Sequence, residues 1–286
     1  MSMTVPSRAP TLDVRPLSPL MAAEVVGLDL GRPLDAATRD AVYAAFLKYQ
    51  VLCFRDQTLT KAQQIAATEQ FGTLEKHMPI NQGAEIALLH VVSNLGPDGK
   101  PVGKINSQRW HSDKSFRPLP SLATFLHAVE MPPDGGDTCF ANMYAAYEAL
   151  PAMDKAALAD VRVVHSWATS RIHKEGHVVS EAEKRDAPPM SHPLVRTHPE
   201  TGRKSLFLGG HASHLDGVPF GEGRATVVRL EELATEPRFV YRHKWRKGDM
   251  LLWDNRCLIH RADQNFDAAR FPRVLHRTCL RGTAPA

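Results

Sequence analysis

Cysteine is scarce in this chain: four in 286 residues, with no CxxC pair. Cys53, Cys139, Cys257 and Cys279 lie too far apart for a zinc ribbon or a dithiol redox motif, so they read as free thiols of a reducing cytoplasm. No apolar run approaches the ~18 residues of a membrane helix. Met1 to Pro10 lacks the apolar core of a secretory signal. An excess of one charge is also missing. The 35 basic and 31 acidic residues, interspersed, give +4, too mild for nucleic acid but suited to a pocket that receives anions. There are no repeats and no low-complexity tract. A hydrophobic content of 43% and a charged content of 23% are those of an ordinary globular protein, of a length that fits one domain. Histidine, by contrast, is abundant: 14 copies of the commonest neutral metal ligand.

Residues 1–12 read as a flexible tail and 13–286 as one domain. Asp35 caps a helix carrying Val42, Phe46 and Leu47 at helical spacing, which runs into the buried strand Val51-Leu52-Cys53-Phe54. Thr60-Lys61-Ala62-Gln63 is a capping box that opens a second helix. From about residue 86 the text changes to short Val/Ile/Leu/Phe runs broken by Gly and Pro, with helices expected over 143–150, 153–160 and 224–236. Strands are expected over 192–198, 205–208, 239–245, 250–253 and 273–280. The polar, basic stretch 167–190 is too long for a plain connection and reads either as an active-site lid or as a surface loop. Many short strands with peripheral helices imply a mainly β fold, a double-stranded β-helix (jelly roll, cupin-like).

Trp110-His111-Ser112-Asp113 sets a histidine and a carboxylate at i and i+2, on one face of a strand. With His260 from a distant strand they make a 2-His-1-carboxylate set, which leaves cis positions of iron(II) open for co-substrate and oxygen. His-x-Asp alone means little, since this composition gives roughly 0.8 occurrences by chance. A second copy, His214-Leu215-Asp216, lies in the glycine-flanked segment after Gly209-Gly210-His211, which looks like a loop.

Context separates the two. Trp110 to Phe116 (WHSDKSF), Gly135 to Phe140 (GGDTCF), Trp253 to Arg261 (WDNRCLIHR) and Arg273 to Arg277 (RVLHR) occur in order over nearly the whole chain. Through these blocks the chain resembles the iron(II)/2-oxoglutarate-dependent dioxygenase family of taurine dioxygenase and 2,4-dichlorophenoxyacetate dioxygenase, and it is closer to the phenoxyacetate branch. The resemblance implies Fe(2+) on His111, Asp113 and His260, with 2-oxoglutarate and O2 as co-substrates. It implies Thr138 and Arg277 as 2-oxoglutarate contacts, Arg277 at the distal carboxylate, and Arg273 as a second arginine near the chelating one. A dianion needs such a partner, and guanidinium offers bidentate geometry that lysine lacks. On a strand Arg273 and Arg277 share a face.

For the substrate the resemblance points to His77, Ser107 and His214. Ser107 departs from the taurine enzyme's pattern, and His211 and His214 either line the pocket or shape a loop. The implied reaction is hydroxylation of a small organic anion, an aryloxyalkanoate or related aromatic carboxylate first, with release of succinate and CO2. Taurine, alkylsulfonate or alkyl sulfate oxidation is the alternative, and a non-catalytic jelly-roll binder the reading from another class. Neither nucleic acid nor membrane is an expected partner. A homo-oligomer, dimer or tetramer, is implied by the resemblance alone.

Overall fold

The computed structural model describes residues 12–76, 87–171 and 179–286. Seven strands form the larger sheet in the order β1 (Val14–Pro16), β2 (Ala23–Val25), β3 (Val51–Phe54), β13 (Met250–Asp254), β5 (Ser121–Glu130), β15 (Val274–Arg281), β4 (His90–Ser93). A smaller sheet faces it, ordered β12 (Val240–His243), β6 (Thr138–Asn142), β14 (Leu258–Ala262). A third has the order β11 (Ala212–Leu215), β7 (Arg162–His165), β8 (Met190–Pro193), and β9 (Val195–Thr197) pairs with β10 (Lys204–Leu206). This is the expected jelly roll.

The continuous apolar runs of β3 and β13 follow from burial on both faces. Val51, Cys53, Leu251 and Trp253 point between the sheets, against Phe140 and Leu258. Leu52, Phe54, Met250 and Leu252 point outward, against Val42 and Phe46 of α1 (Ala36–Tyr49) and Ala67 of α2 (Lys61–Glu69). Each such side chain withdrawn from water contributes roughly 1.5–3 kcal/mol. Both helix starts form as their sequences require. The Asp35 side chain accepts from the Thr38 N–H, and Thr60 and Gln63 make a reciprocal capping box.

Several expectations shift. The helix expected from Arg224 begins a turn earlier and spans Phe220–Ala234. Gly223 weakens it intrinsically, but a Cβ there would stand 2.8 Å from the Leu215 nitrogen, so glycine is what lets this helix close on β11. Val228, expected on its apolar side, is 36% exposed. The run 192–198 is two strands that part at Leu194, one pairing with β7 and the other with β10. His214 lies on β11 rather than in a loop. Arg273 immediately precedes β15, and the register shift between Val274 and Leu275 puts its extra residue, Val129, on β5, while the ladder of β15 to β4 runs without a shift from Val274 to Arg277. Of the 167–190 stretch, Trp167–Arg171 and Glu181–Asp186 are short helices and 172–178 lie outside the described residues, as does the 1–11 part of the tail.

At the end of β13, Asp254 is buried between Arg256, 2.8 Å away, and His198 Nε2, 3.0 Å away. Burial pushes its carboxyl up, but the His198 hydrogen bond and the Arg256 guanidinium outweigh this and hold it at about 2. The folded value is below the unfolded one, so the contribution to stability is present above the ordinary carboxylate range and is lost as pH falls through it toward about 2. Asp254→Ala, which removes the buried partner of Arg256 and leaves it only the half-buried Glu200, is expected to cost about 3–5 kcal/mol in chemical denaturation at neutral pH.

Candidate metal centre and co-substrate pocket

His111 and His260 are directly opposed. His111 N–H donates to the His260 carbonyl at 2.9 Å and His260 N–H to the His111 carbonyl at 2.8 Å. In such a hydrogen-bonded antiparallel pair the two side chains leave the same face, and the rings stand 4.2 Å apart. The bridge is one residue long: Asp113 already begins a turn, where the sequence predicted a strand, and Lys114 takes a left-handed φ of 52°. The turn nevertheless brings the carboxylate to the imidazoles, with Asp113 Oδ2 3.9 Å from His260 Nε2. One ligand atom from each of His111, Asp113 and His260 lies within 4.8 Å of the other two.

The surroundings hold these groups in the state a metal requires. His111 Nδ1 is 2.8 Å from the Arg109 carbonyl, which can only accept, so the proton sits on Nδ1 and Nε2 keeps its lone pair. Burial lowers the pKa of both imidazoles, that of His260 well below the ordinary value. Burial alone would raise Asp113, but Arg277, with the two histidines, outweighs it and holds the carboxyl well below the ordinary range. Thr124 Oγ1–H donates to Asp113 Oδ2 at 2.6 Å, and Arg277 Nη1 to Oδ1 at 3.0 Å. Asn255 ties the group together: its Oδ1 accepts from the Asp113 N–H at 3.3 Å and from Trp253 Nε1 at 3.1 Å, while its Nδ2 donates to Thr124 at 2.9 Å. This gives a physical reason for the Trp-Asp-Asn run. Asn255→Ala is expected to lower iron affinity about 10–100-fold while leaving all three ligands in place, readable by anaerobic titration.

Gly209 and Gly210 press a further segment onto the site. Gly210 N–H donates to the Trp110 carbonyl at 2.6 Å. A Cβ on Gly209, whose φ is +108°, would meet the His111 Cα at 3.0 Å. The pair thereby delivers His211 beside the metal group: its ring is edge-on to His111 at 6.2 Å, 4.9 Å from Phe116, and stacked on Trp167 at 6.4 Å. Burial lowers the His211 pKa to about 3.

Of the three arginine and threonine positions, Thr138 and Arg273 come together. Arg273 Nη2 is 3.4 Å from Thr138 Oγ1, its Nε donates to the Gly136 carbonyl at 2.9 Å, and Trp245 Nε1 donates to the same threonine at 2.9 Å. Burial lowers the Arg273 pKa to about 10, and among the described residues no carboxylate lies within salt-bridge range of it. Arg277 instead sits on Asp113. Ser107 is exposed with a left-handed φ of 63°, and its carbonyl accepts from the Ala262 N–H at 2.8 Å. His214 bonds Ser213 and packs on Phe220, apart from the metal group. His77 lies outside the described residues.

A second buried group, Cys53, His243 and Asp249, also has metal-binding donor types within reach of one another. Two of its three side chains are engaged: Arg55 holds Asp249 Oδ2 at 2.6 Å, and the two nitrogens of His243 meet Tyr241 and Asp249. It is an ion-pair network that joins β12 to β3.

The sequence model of the taurine catabolism dioxygenase TauD, TfdA family matches residues 13–279. An alpha-ketoglutarate-dependent 2,4-dichlorophenoxyacetate dioxygenase of Cupriavidus pinatubonensis is 42% identical over 267 residues, covering 89% of this chain and 93% of that protein. A (S)-phenoxypropionate/alpha-ketoglutarate-dioxygenase of Sphingobium herbicidovorans is 36% identical, covering 89% and 90%. The crystal structure of AAD-2 with Mn(II) and N-oxalylglycine superposes with a TM-score of 0.86 at 40% identity, covering 96% of this chain and 98% of that one.

Proposed function

The chain belongs to the TauD/TfdA dioxygenase family, and from that premise we propose that it is an iron(II)- and 2-oxoglutarate-dependent dioxygenase of aryloxyalkanoates or related aromatic carboxylates. The observation that carries this reading is the convergence of His111, Asp113 and His260. Two neutral imidazoles and one ionised carboxylate suit ferrous iron, and the set leaves ligand positions for a chelating co-substrate. Iron bound there supplies the activation of O2 that is coupled to oxidative decarboxylation of 2-oxoglutarate to succinate and CO2.

The chain's own residues bind and orient. Arg273, buried with no salt-bridge partner among the described residues and joined to Thr138, takes the distal carboxylate of 2-oxoglutarate. This revises the role that the resemblance gave to Arg277. Arg277 bonds a metal ligand and stands four residues, roughly 13 Å of extended chain, from Arg273. It is therefore placed for negative charge close to the metal, that of the substrate carboxylate. Phe116, Trp167 and His211 form the wall for an aromatic ring beside His111. The four cysteines are buried free thiols, which supports the cytoplasmic reading. The described helices include none long and apolar enough to cross a membrane.

Hydroxylation beside the ether oxygen of an aryloxyacetate gives a hemiacetal that collapses to a phenol and glyoxylate. The test is succinate formation across a panel of anions. Aryloxyalkanoates are expected to trigger succinate with matching phenol release. Sulfite release from taurine or an alkylsulfonate without phenol from any aryloxy acid would overturn the substrate assignment, and failure of every anion on the panel to yield succinate would overturn the activity.

A further inference from the structure

The turn that carries Asp113 also carries Ser115, fully buried, whose hydroxyl touches two histidines from other parts of the chain. Its Oγ is 3.0 Å from Nδ1 of His211 and 3.1 Å from Nδ1 of His165. His165 ends β7, opposite Ala212, and the Ser166 N–H donates to the His211 carbonyl at 2.8 Å, so the backbones are fixed as well. Phe207 stacks on the His165 ring at 4.4 Å. Among the described residues Ser115 is the only side chain to which either ring hydrogen-bonds.

A serine hydroxyl has one proton and can donate in one direction only. Both rings are buried and, among the described residues, hydrogen-bonded to no carboxylate, so each carries one N–H. The oxygen could accept from both rings, but its own proton would then have no acceptor, because among the described residues the two Nδ1 atoms are the only partners of Oγ. One histidine therefore carries its proton on Nδ1 and donates to Ser115, and the other accepts from it. Fixing one ring fixes the other. His211 stands edge-on to His111 and against both Phe116 and Trp167, and with its Nδ1 on Ser115 its Nε2 keeps one hydrogen-bonding character.

We propose that Ser115 and His165 are positioning residues that lock His211 into a single tautomer and ring orientation, and that this lock sets recognition of the substrate's polar group. The inference rests on the aryloxyalkanoate reading, and it adds two residues, one on β7, that touch neither metal ligand nor co-substrate.

The experiment begins with the full-length, metal-free protein, labelled with 15N-histidine and observed by two-bond 1H–15N correlation. His165 and His211 are expected to show opposite tautomers, and Ser115→Ala to turn His211 into a mixture. In the iron-loaded enzyme, Ser115→Ala and His165→Phe, which keeps the stack on Phe207, are each expected to raise the substrate KM roughly tenfold, the loss of one hydrogen bond. The KM for 2-oxoglutarate and the iron affinity stay unchanged, and Ser115→Thr restores the wild-type KM. Identical tautomers in the two rings, or an unchanged substrate KM in His165→Phe, would overturn the proposal. So would a rise in KM matched by an equal loss of iron affinity in His165→Phe. A wild-type enzyme that turns over no aryloxy acid would instead overturn the substrate reading, while the tautomer measurement would still decide the lock.

Discussion

His111→Ala is expected to reduce iron-dependent turnover to background, whereas His214→Ala binds iron like the wild type. The two histidines open the two His-x-Asp runs of this chain, and composition does not distinguish them. Geometry does. His111 faces His260 through a reciprocal backbone pair and keeps Nε2 free for a metal, while His214 is occupied by Ser213 and Phe220. Loss of one of three protein ligands should weaken binding beyond the roughly 10–100-fold that loss of an outer partner costs. Anaerobic iron titration and succinate assays on both variants check this. Iron binding that survives in His111→Ala and fails in His214→Ala would relocate the site.

Arg273→Ala is expected to raise the KM for 2-oxoglutarate by about 30-fold or more, the roughly 2–5 kcal/mol of a truncated buried charge pair. Arg273 is almost wholly withdrawn from water, with Gly136 and Thr138 as partners and, among the described residues, no carboxylate within salt-bridge range. A buried guanidinium in that condition is costly without an anion, which the co-substrate's far end supplies. Arg273→Lys should recover only part of the loss, because an ammonium cannot reproduce the planar fork. Arg277→Ala should act differently. It removes the partner of Asp113 and is expected to raise the substrate KM more than the 2-oxoglutarate KM. If Arg277→Ala carried the 2-oxoglutarate effect and Arg273→Ala did not, the two roles would be exchanged.

These two cases show where the text was legible. Runs such as Val51–Phe54 and Met250–Trp253 announce buried strands because both faces of the large sheet are covered. Asp35 and Thr60 mark helix starts because capping is a local bond between residues three apart. The three candidate ligands were readable because their types and blocks occur together. The division of labour between Arg273 and Arg277 was not, since it depends on what each meets from distant segments, Gly136 and Thr138 for one and Asp113 for the other. His211 was left open beside His214 for a related reason. What selects it is contact at long range, Gly209 against His111, and the double glycine that permits this contact also resembles an ordinary loop. Ser115, Thr124 and Asn255 are small polar residues of common type. Their roles emerge only when segments far apart in the chain meet, as in the Asn255 bond to Thr124 and the Ser115 bonds to His165 and His211.

The most direct measurement is an anomalous difference map, at the manganese edge, of crystals grown anaerobically with Mn(II) and 2-oxoglutarate. A single strong peak bounded by His111, Asp113 and His260 is the predicted result. A peak beside Cys53, His243 and Asp249, or beside His214 and Asp216, with none between the two opposed imidazoles, would contradict it.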